Sequence, residues 1–277
     1  MSASVHTEPA ARATGAIDAV IASLPLSLHA SAELADADLV AVDGCPGWPA
    51  RLHDHVVAGA RGAVVIDPVA EDAPELGVPV VVDRVYASHP AIADAARLAE
   101  AIGVEALVEV RIEVPAERAL ERALLDGLAL ARSITGAKIE AGHVLVRTSR
   151  ALSARVRFSD RRTGLLTLVR TGAREPTALV RLLSSSASLV AEVPPPGTAR
   201  PASVLLSTGT GETRAPLRFE SAHRHSWRRL LEQPPPGGDL ADADADTRAL
   251  RLLLDPSSSS LPTTPGTDAR PTKETPQ

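Results

Sequence analysis

Residues 63–90 read AVVIDPVAEDAPELGVPVVVDRVYASHP, and the reading of the whole chain turns on them. Two short runs rich in β-branched residues, Ala63–Ile66 and Val78–Val82, are continuously apolar rather than alternating. That is the pattern of strands buried on both faces of a parallel sheet. An acidic, proline-containing connection long enough for one or two helical turns separates them. After the second run come Arg84, Val85 and Tyr86, and then His89-Pro90 opens an amphipathic helix, with proline in its favoured first turn.

Working outward, Leu39–Val42 is a third buried run, ending in the breaker cluster Asp43-Gly44-Cys45-Pro46-Gly47. Leu52, Val56 and Val57 then recur at helical spacing before Gly59 and Gly62. This alternation of strand, turn and helix predicts a parallel βα domain. Ala19–Ala22 reads as a further buried strand, and residues 1–16 as a small, polar, disordered N-terminus. Beyond the helix 91–102 the pattern changes. Ala106–Val114 alternates apolar and charged residues, as a half-exposed strand does. A helix over 116–135 stops at Gly136. Seven alternating strands follow at hairpin-like intervals: 143–149, 153–159, 164–171, 178–184, 188–194, 203–208 and 215–221. They suit an antiparallel sheet with a helix on one face and Arg147, Arg155, Arg157, Arg170 and Arg181 on the other, solvated or subunit-facing. A last helix is expected over 221–231. From Pro234 the chain has the composition of disorder. The expected domains are therefore 17–90 and 91–232, flanked by disordered segments 1–16 and 233–277.

Composition narrows the function. The chain has 277 residues, a net charge of −5 and no basic block in its body, which argues against nucleic acid as a partner. The single cysteine, Cys45, excludes an internal disulfide and any multi-cysteine metal site. No apolar run reaches the roughly 18 residues needed to span a bilayer. The N-terminus lacks a basic segment followed by a long apolar core, so a cytoplasmic protein is expected. The pairs His53/His55 and His223/His225 sit on expected helices or at their edges, where a spacing of two splays the rings, so no metal site is expected.

Four stretches carry a family resemblance: LADADLVAVDGCP (34–46), VVAGARGAVVIDPVA (56–70), residues 75–114, and RALLDGLALARSITGA (122–137). Together with the order of the later strands, they resemble the Gfo/Idh/MocA oxidoreductases over about residues 17–232. The resemblance implies an incomplete Rossmann-like domain followed by an α+β domain with a mostly antiparallel open sheet. It also implies a dinucleotide cofactor and association through the open sheet as a homo- or hetero-oligomer. Several family features are missing. No GxGxxG occurs, and the segment before Ala19 looks too short for a first strand, glycine loop, helix and second strand, as if the member were N-terminally truncated. The catalytic Lys of the family's Glu-Lys-Pro turn corresponds to Asp67, which when ionised only accepts hydrogen bonds. On the long helix the family's His falls on Asp126, its second Asp on Ala129 and its Gly on Leu124.

The leading expectation is a degenerate, non-catalytic homologue without cofactor, acting as a scaffold, a partner subunit or a binder of a polyol-like small molecule. The alternative is an active NAD(P)-dependent sugar or cyclitol oxidoreductase with an unconventional site. For that reading the catalytic candidates are Asp67, Asp126 and Tyr86, the cofactor-binding candidates Asp43 and Pro46, and the pocket candidates Asp83 and Arg84. A third reading is an Asp67/Asp83/Asp126 cluster doing cofactor-free acid–base chemistry.

Overall fold

The computed structural model describes residues 2–173 and 175–255. The three central apolar runs form strands β3 (Leu39–Asp43), β4 (Gly62–Ile66) and β5 (Val80–Asp83), with β4 and β5 buried at every position. Two more strands, β1 (Ala3–Thr7) and β2 (Leu28–Ala30), complete a five-stranded parallel sheet in the order β2-β1-β3-β4-β5. Its register pairs Val5 with Leu39, Val40 with Ala63, and Val64 with Val81. Both faces are covered, which is why β3, β4 and β5 are apolar up to their last residues. Helices α1 (Pro9–Thr14) and α2 (Ile17–Ser23) lie on one face with Trp227 and Leu230 of the later helix α6 (Ala222–Leu231). Helix α3 (Trp48–Val57) covers the other face together with Leu240 and Ala243 of the last helix, α7 (Leu240–Leu254).

The second sheet has eight strands. β6 (Leu107–Val114) follows α4 (Ala91–Ala99), and the long helix α5 (Leu120–Thr135) leads into β7 (Ile139–Arg147), β8 (Ala151–Phe158) and β9 (Thr163–Arg170). β10 (Ala178–Leu183), β11 (Ala187–Val193), β12 (Ser203–Thr208) and β13 (Gly211–Arg214) complete it. The order is β13-β12-β11-β10-β6-β9-β8-β7, with β6 and β9 the parallel pair. Along β8, Leu152, Ala154, Val156 and Phe158 are buried under the helices, whereas Arg155 and Arg157 face outward. Arg147 and Arg181 are also exposed, but Arg170 is half-buried and donates through Nη2 to Arg118 O (3.2 Å). Among the described residues no helix is long and apolar enough to cross a membrane.

Four local expectations are corrected. Residues 1–16 are not structureless: β1 and α1 occupy them, with β1 held by β2 on one side and β3 on the other. Ala19–Ala22 belongs to α2, where Ile17 and Val20 are buried at helical rather than strand spacing. A complete β-α-β unit therefore fits before Ser31, because α1 and α2 are one to two turns each and the connections are only a few residues long. The segment 215–221 is not a ladder strand. The hairpin partner of β12 is GETR at 211–214, beginning at Gly211 with a φ of +145°, and only an Ala202–Arg218 bridge follows.

The segment after Pro234 is also structured, as far as it is described. The ADADAD run lies within α7, which buries Leu240, Ala243, Thr247, Leu250 and Leu253 at spacings of three and four. The helix packs so closely on β7 that a Cβ at Gly142 would come within 2.6 Å of Leu253 Cδ2. The expected disorder of residues 256–277 falls outside the described residues. Neither α6 nor α7 keeps to the expected domain boundary. α6 returns to the first sheet, and α7 runs from the first sheet's core to the second's.

Candidate functional site

The connection after β1 leaves toward the α1/α2 face, and the connection after β3 leaves toward the α3 face. The carboxyl ends of these neighbouring strands therefore flank a crevice, the topological switch point at which open α/β sheets place their ligands. Glu8 follows β1 there, and Asp43-Gly44-Cys45-Pro46-Gly47 follows β3. The Glu8 carboxylate spans the crevice. Oε2 accepts the Asp43 N–H (2.8 Å), and Oε1 accepts from His55 Nε2 (2.9 Å) and Arg51 Nε (3.3 Å). Arg51 also donates to Asp43 O (2.6 Å), Pro46 O (3.0 Å) and Cys45 Sγ (3.0 Å), which ties the breaker loop down. Burial alone would raise the Glu8 pKa, but the bonds from His55 and the Asp43 N–H and the charge of Arg51 more than offset it, and the carboxyl is held below its usual range. A hydrogen bond to Asp43, followed by burial, pushes the Cys45 thiol up, so Cys45 is no ready nucleophile. Asp43 and Pro46 thus line the crevice, but their backbone carbonyls are committed to Arg51. Gly44 lets this loop lie against the next one: its N–H donates to Ile66 O (2.9 Å), its C=O accepts from Val69 N–H (2.8 Å), and a Cβ would overlap Pro68 and Ile66.

At the end of β4, Asp67 adopts a left-handed backbone (φ 44°), uncommon for a residue other than glycine and tolerated best by Asp and Asn. Its N–H donates to Asp83 O (2.8 Å). Arg118 Nη2 donates to Asp67 Oδ1 (2.8 Å) and to Asp126 Oδ2 (3.3 Å), joining the two carboxylates. Asp126, fully buried in the middle of α5, also accepts the N–H groups of Tyr86 (3.1 Å) and Ala87 (2.9 Å). Burial raises the Asp126 pKa and Arg118 opposes the shift without cancelling it. Arg122 Nη1 stands 3.9 Å from Asp67 Oδ2. Tyr86 contributes its backbone N–H to this cluster, and burial keeps its hydroxyl protonated. Arg84 is buried behind it and donates through Nη1 to Pro68 O (2.8 Å).

Of the three expected carboxylates, Asp67 and Asp126 meet through Arg118, whereas Asp83 turns away. Its Oδ2 lies 2.6 Å from His223 Nδ1, and its Oδ1 accepts from Ser226 Oγ (3.0 Å), which pins α6 to the end of β5. The three-aspartate cluster is therefore not assembled. The histidine pairs are splayed as their helical spacing requires: His55 faces Glu8 while His53 is exposed, and His223 faces Asp83. Among the described residues no three His, Cys, Asp or Glu side chains group as a metal site. Sequence reasoning missed Glu8, Arg51, His55, Arg118 and Arg122. The available signal was four-residue spacing: Arg51 and His55 share one face of α3, and Arg118, Arg122 and Asp126 follow one stripe into α5.

No family model and no curated protein sequence matches the chain. Solved structures do resemble it. An oxidoreductase domain protein from Kribbella flavida superposes with a TM-score of 0.62 at 16% identity, over 90% of this chain and 86% of that one. UDP-N-acetylglucosamine 3-dehydrogenase GnnA from Acidithiobacillus ferrooxidans gives 0.62 at 14% identity, over 91% and 97%. KijD10, a 3-ketoreductase from Actinomadura kijaniata in complex with NADP and TDP-benzene, gives 0.62 at 12%, over 91% and 97%. At such identities the likeness is one of fold, and the chain has the two-domain architecture of Gfo/Idh/MocA-type oxidoreductases.

Proposed function

We propose that this chain is an oxidoreductase-type scaffold that has lost dinucleotide-dependent hydride transfer and serves as a partner subunit or small-ligand binder. The carrying observation is the Glu8 carboxylate spanning the switch-point crevice. A dinucleotide pyrophosphate is held by backbone N–H groups at the start of the helix after the first strand, where glycines let it approach. Here that turn is Glu8-Pro9. Pro9 has no N–H to offer, and the neighbouring anion is bonded to His55, Arg51 and the Asp43 N–H. An incoming diphosphate would meet a carboxylate and would have to break these bonds. The residues present do not fit the cofactor. At the end of β4 the family's Lys position holds Asp67, paired with Arg118. An ionised carboxylate there has no proton to donate to a substrate oxygen.

The test is titration of the full chain with NADH and NADPH, followed by nucleotide fluorescence and thermal melting. The expected result is no saturable binding and no melting shift. Binding tighter than about millimolar, with the upward shift that linkage demands, would defeat this reading. One observation favours the alternative, an NAD(P)-dependent sugar or cyclitol oxidoreductase: the left-handed backbone of Asp67 beside Asp126, whose proton affinity is raised, resembles the strain and tuning of working sites. The same titration decides between them. For pairing, the proposed surface is the open face of the second sheet, with Arg147, Arg155, Arg157 and Arg181 exposed. Light scattering on the purified chain reports its oligomeric state.

A further inference from the structure

Helices α4, α5, α6 and α7 and the turn after β5 border an open cavity of about 1020 Å³. Neither the crevice residues Glu8, Asp43 and Gly44 nor the Asp67–Arg118–Asp126 cluster lines it. Its walls are unequal in what they leave free. Asp239 is held by Arg229 through two bonds (2.6 and 3.0 Å), and Asp246 by Arg132 through two more (2.9 Å each), with Asp242 a further 2.7 Å from the same guanidinium. Those pairs are closed.

The donors deeper in the cavity are not all used. Arg84 is 3% exposed, and among the described residues its side chain makes one hydrogen bond, from Nη1 to Pro68 O. A guanidinium carries five N–H donors, and buried cations are ordinarily paired and saturated. His89 is 5% exposed, and its Nδ1 accepts the Ala91 N–H (3.1 Å). The proton of the neutral ring therefore sits on Nε2, which donates to no described residue. Burial, with His225 and Arg218 nearby, lowers the His89 pKa to about 4, so at neutral pH the ring remains this neutral donor. At the mouth, Lys138 is exposed and its ammonium makes no described ion pair; the rim also carries the exposed Glu100. Arg97 is paired with Asp94 and Arg162 with Asp160, so of the lining cations Arg84 and Lys138 have no ion pair among the described residues, and Ile92, Ala93, Ala96 and Ile102 supply an apolar wall of mostly small side chains.

Unused donors on Arg84 and His89, an ammonium at the mouth without a described ion pair and an apolar wall together specify a ligand. We propose that this cavity binds a small organic anion, its phosphate or carboxylate head toward Arg84 and His89 and its carbon skeleton along the alanine face of α4. A volume of this size suits a small-molecule site. The assignment names a ligand class for the small-molecule role proposed above. It does not depend on the loss of the dinucleotide, so the two readings fail separately: nucleotide titration tests one, and simple anions test the other.

The test is calorimetry and thermal melting of the full chain with inorganic phosphate, with malonate and with glycerol, ionic strength being matched with sodium chloride. Saturable binding of phosphate or malonate with an upward melting shift, and none for glycerol, is the expected result. Phosphate alone would assign a phosphate head, malonate alone a carboxylate, and both a site that reads charge. Lys138→Glu lies on the surface and should weaken the anion by about fivefold, on the scale of an exposed charge pair, without moving the ligand-free melting point. Ala93→Trp puts an indole on the α4 wall where the carbon skeleton would lie and should weaken binding about tenfold or more. Arg84→Met should abolish binding; if that chain does not fold, the other two variants decide. Equal shifts from glycerol or chloride, or anion binding unchanged in both Lys138→Glu and Ala93→Trp, would overturn the assignment.

Discussion

Replacing Arg118 by methionine keeps most of the side-chain volume and removes the charge between Asp67 and Asp126. The Arg118 side chain is 11% exposed, and those of its partners are 6% and 0% exposed. The remaining arginines do not substitute for it: Arg122 stands 3.9 Å from Asp67, and Arg84 is bonded to Pro68 O. Removing one member of a buried ion pair costs about 3–5 kcal/mol, because the partner is left as an uncompensated charge. At roughly 2–4 °C per kcal/mol for a chain of this size, the melting point should fall on the order of 10 °C. The cost should also depend on pH. Asp126 already binds its proton more tightly in the folded protein than in the unfolded chain, through burial and the neighbouring Asp67 charge, against the opposing Arg118. A group with a raised folded pKa favours folding fully below its unfolded value near 3.8, and that contribution is lost as pH rises through the folded value. Losing Arg118 raises the folded value further, so the variant's deficit should be smaller at about pH 4.5 than at about pH 8. Urea unfolding followed by far-ultraviolet circular dichroism at both pH values measures this. A deficit below about 1 kcal/mol at the higher pH, or one equal at both, would refute the account of Arg118 as the buried counter-ion.

The Asp83–His223 pair should add a second loss of stability as pH rises, in a higher range. Burial disfavours the imidazolium, but the charge and hydrogen bond of Asp83 raise the His223 pKa above 6.5. Its stabilisation is therefore complete below pH 6.5 and lost as pH rises through the folded value, and His223→Gln should flatten that part of a melting-point profile; an unchanged profile would remove His223 from the explanation. Asp246→Ala leaves Arg132 with only Asp242 and should cost about 2–3 kcal/mol, on the scale of a partly replaced buried pair. Amide exchange should then quicken across 240–254 while β1 is unaffected, and unaltered exchange in α7 would mean that apolar packing alone seats the helix.

Local pattern was enough wherever one periodicity ran without competition. VVVD at 80–83, LVAVD at 39–43 and the alternation of Leu152, Ala154, Val156 and Phe158 state their burial directly, and Gly136 closes α5 where its left-handed φ of +68° is needed. These features also carry the two-sheet architecture. Where polar residues interrupt the period, the sequence by itself was insufficient. The strand ASVHT is a strand because β2 and β3 pair with both its edges, and the ADADAD segment is helical because α7 has two sheets to pack on. The site divides in the same way. The sequence, through its resemblance to the Gfo/Idh/MocA family, singles out Asp43, Pro46, Asp67, Asp83, Arg84, Tyr86 and Asp126, most of them at strand ends or in the loops that follow. Which side chains bond there was decided by contacts between residues far apart in the chain, Glu8 with Arg51 and His55, Arg118 with Asp67, and Asp83 with His223. A side chain's rotamer and partner depend on what the neighbouring elements leave unpaired, and only the tertiary structure settles that.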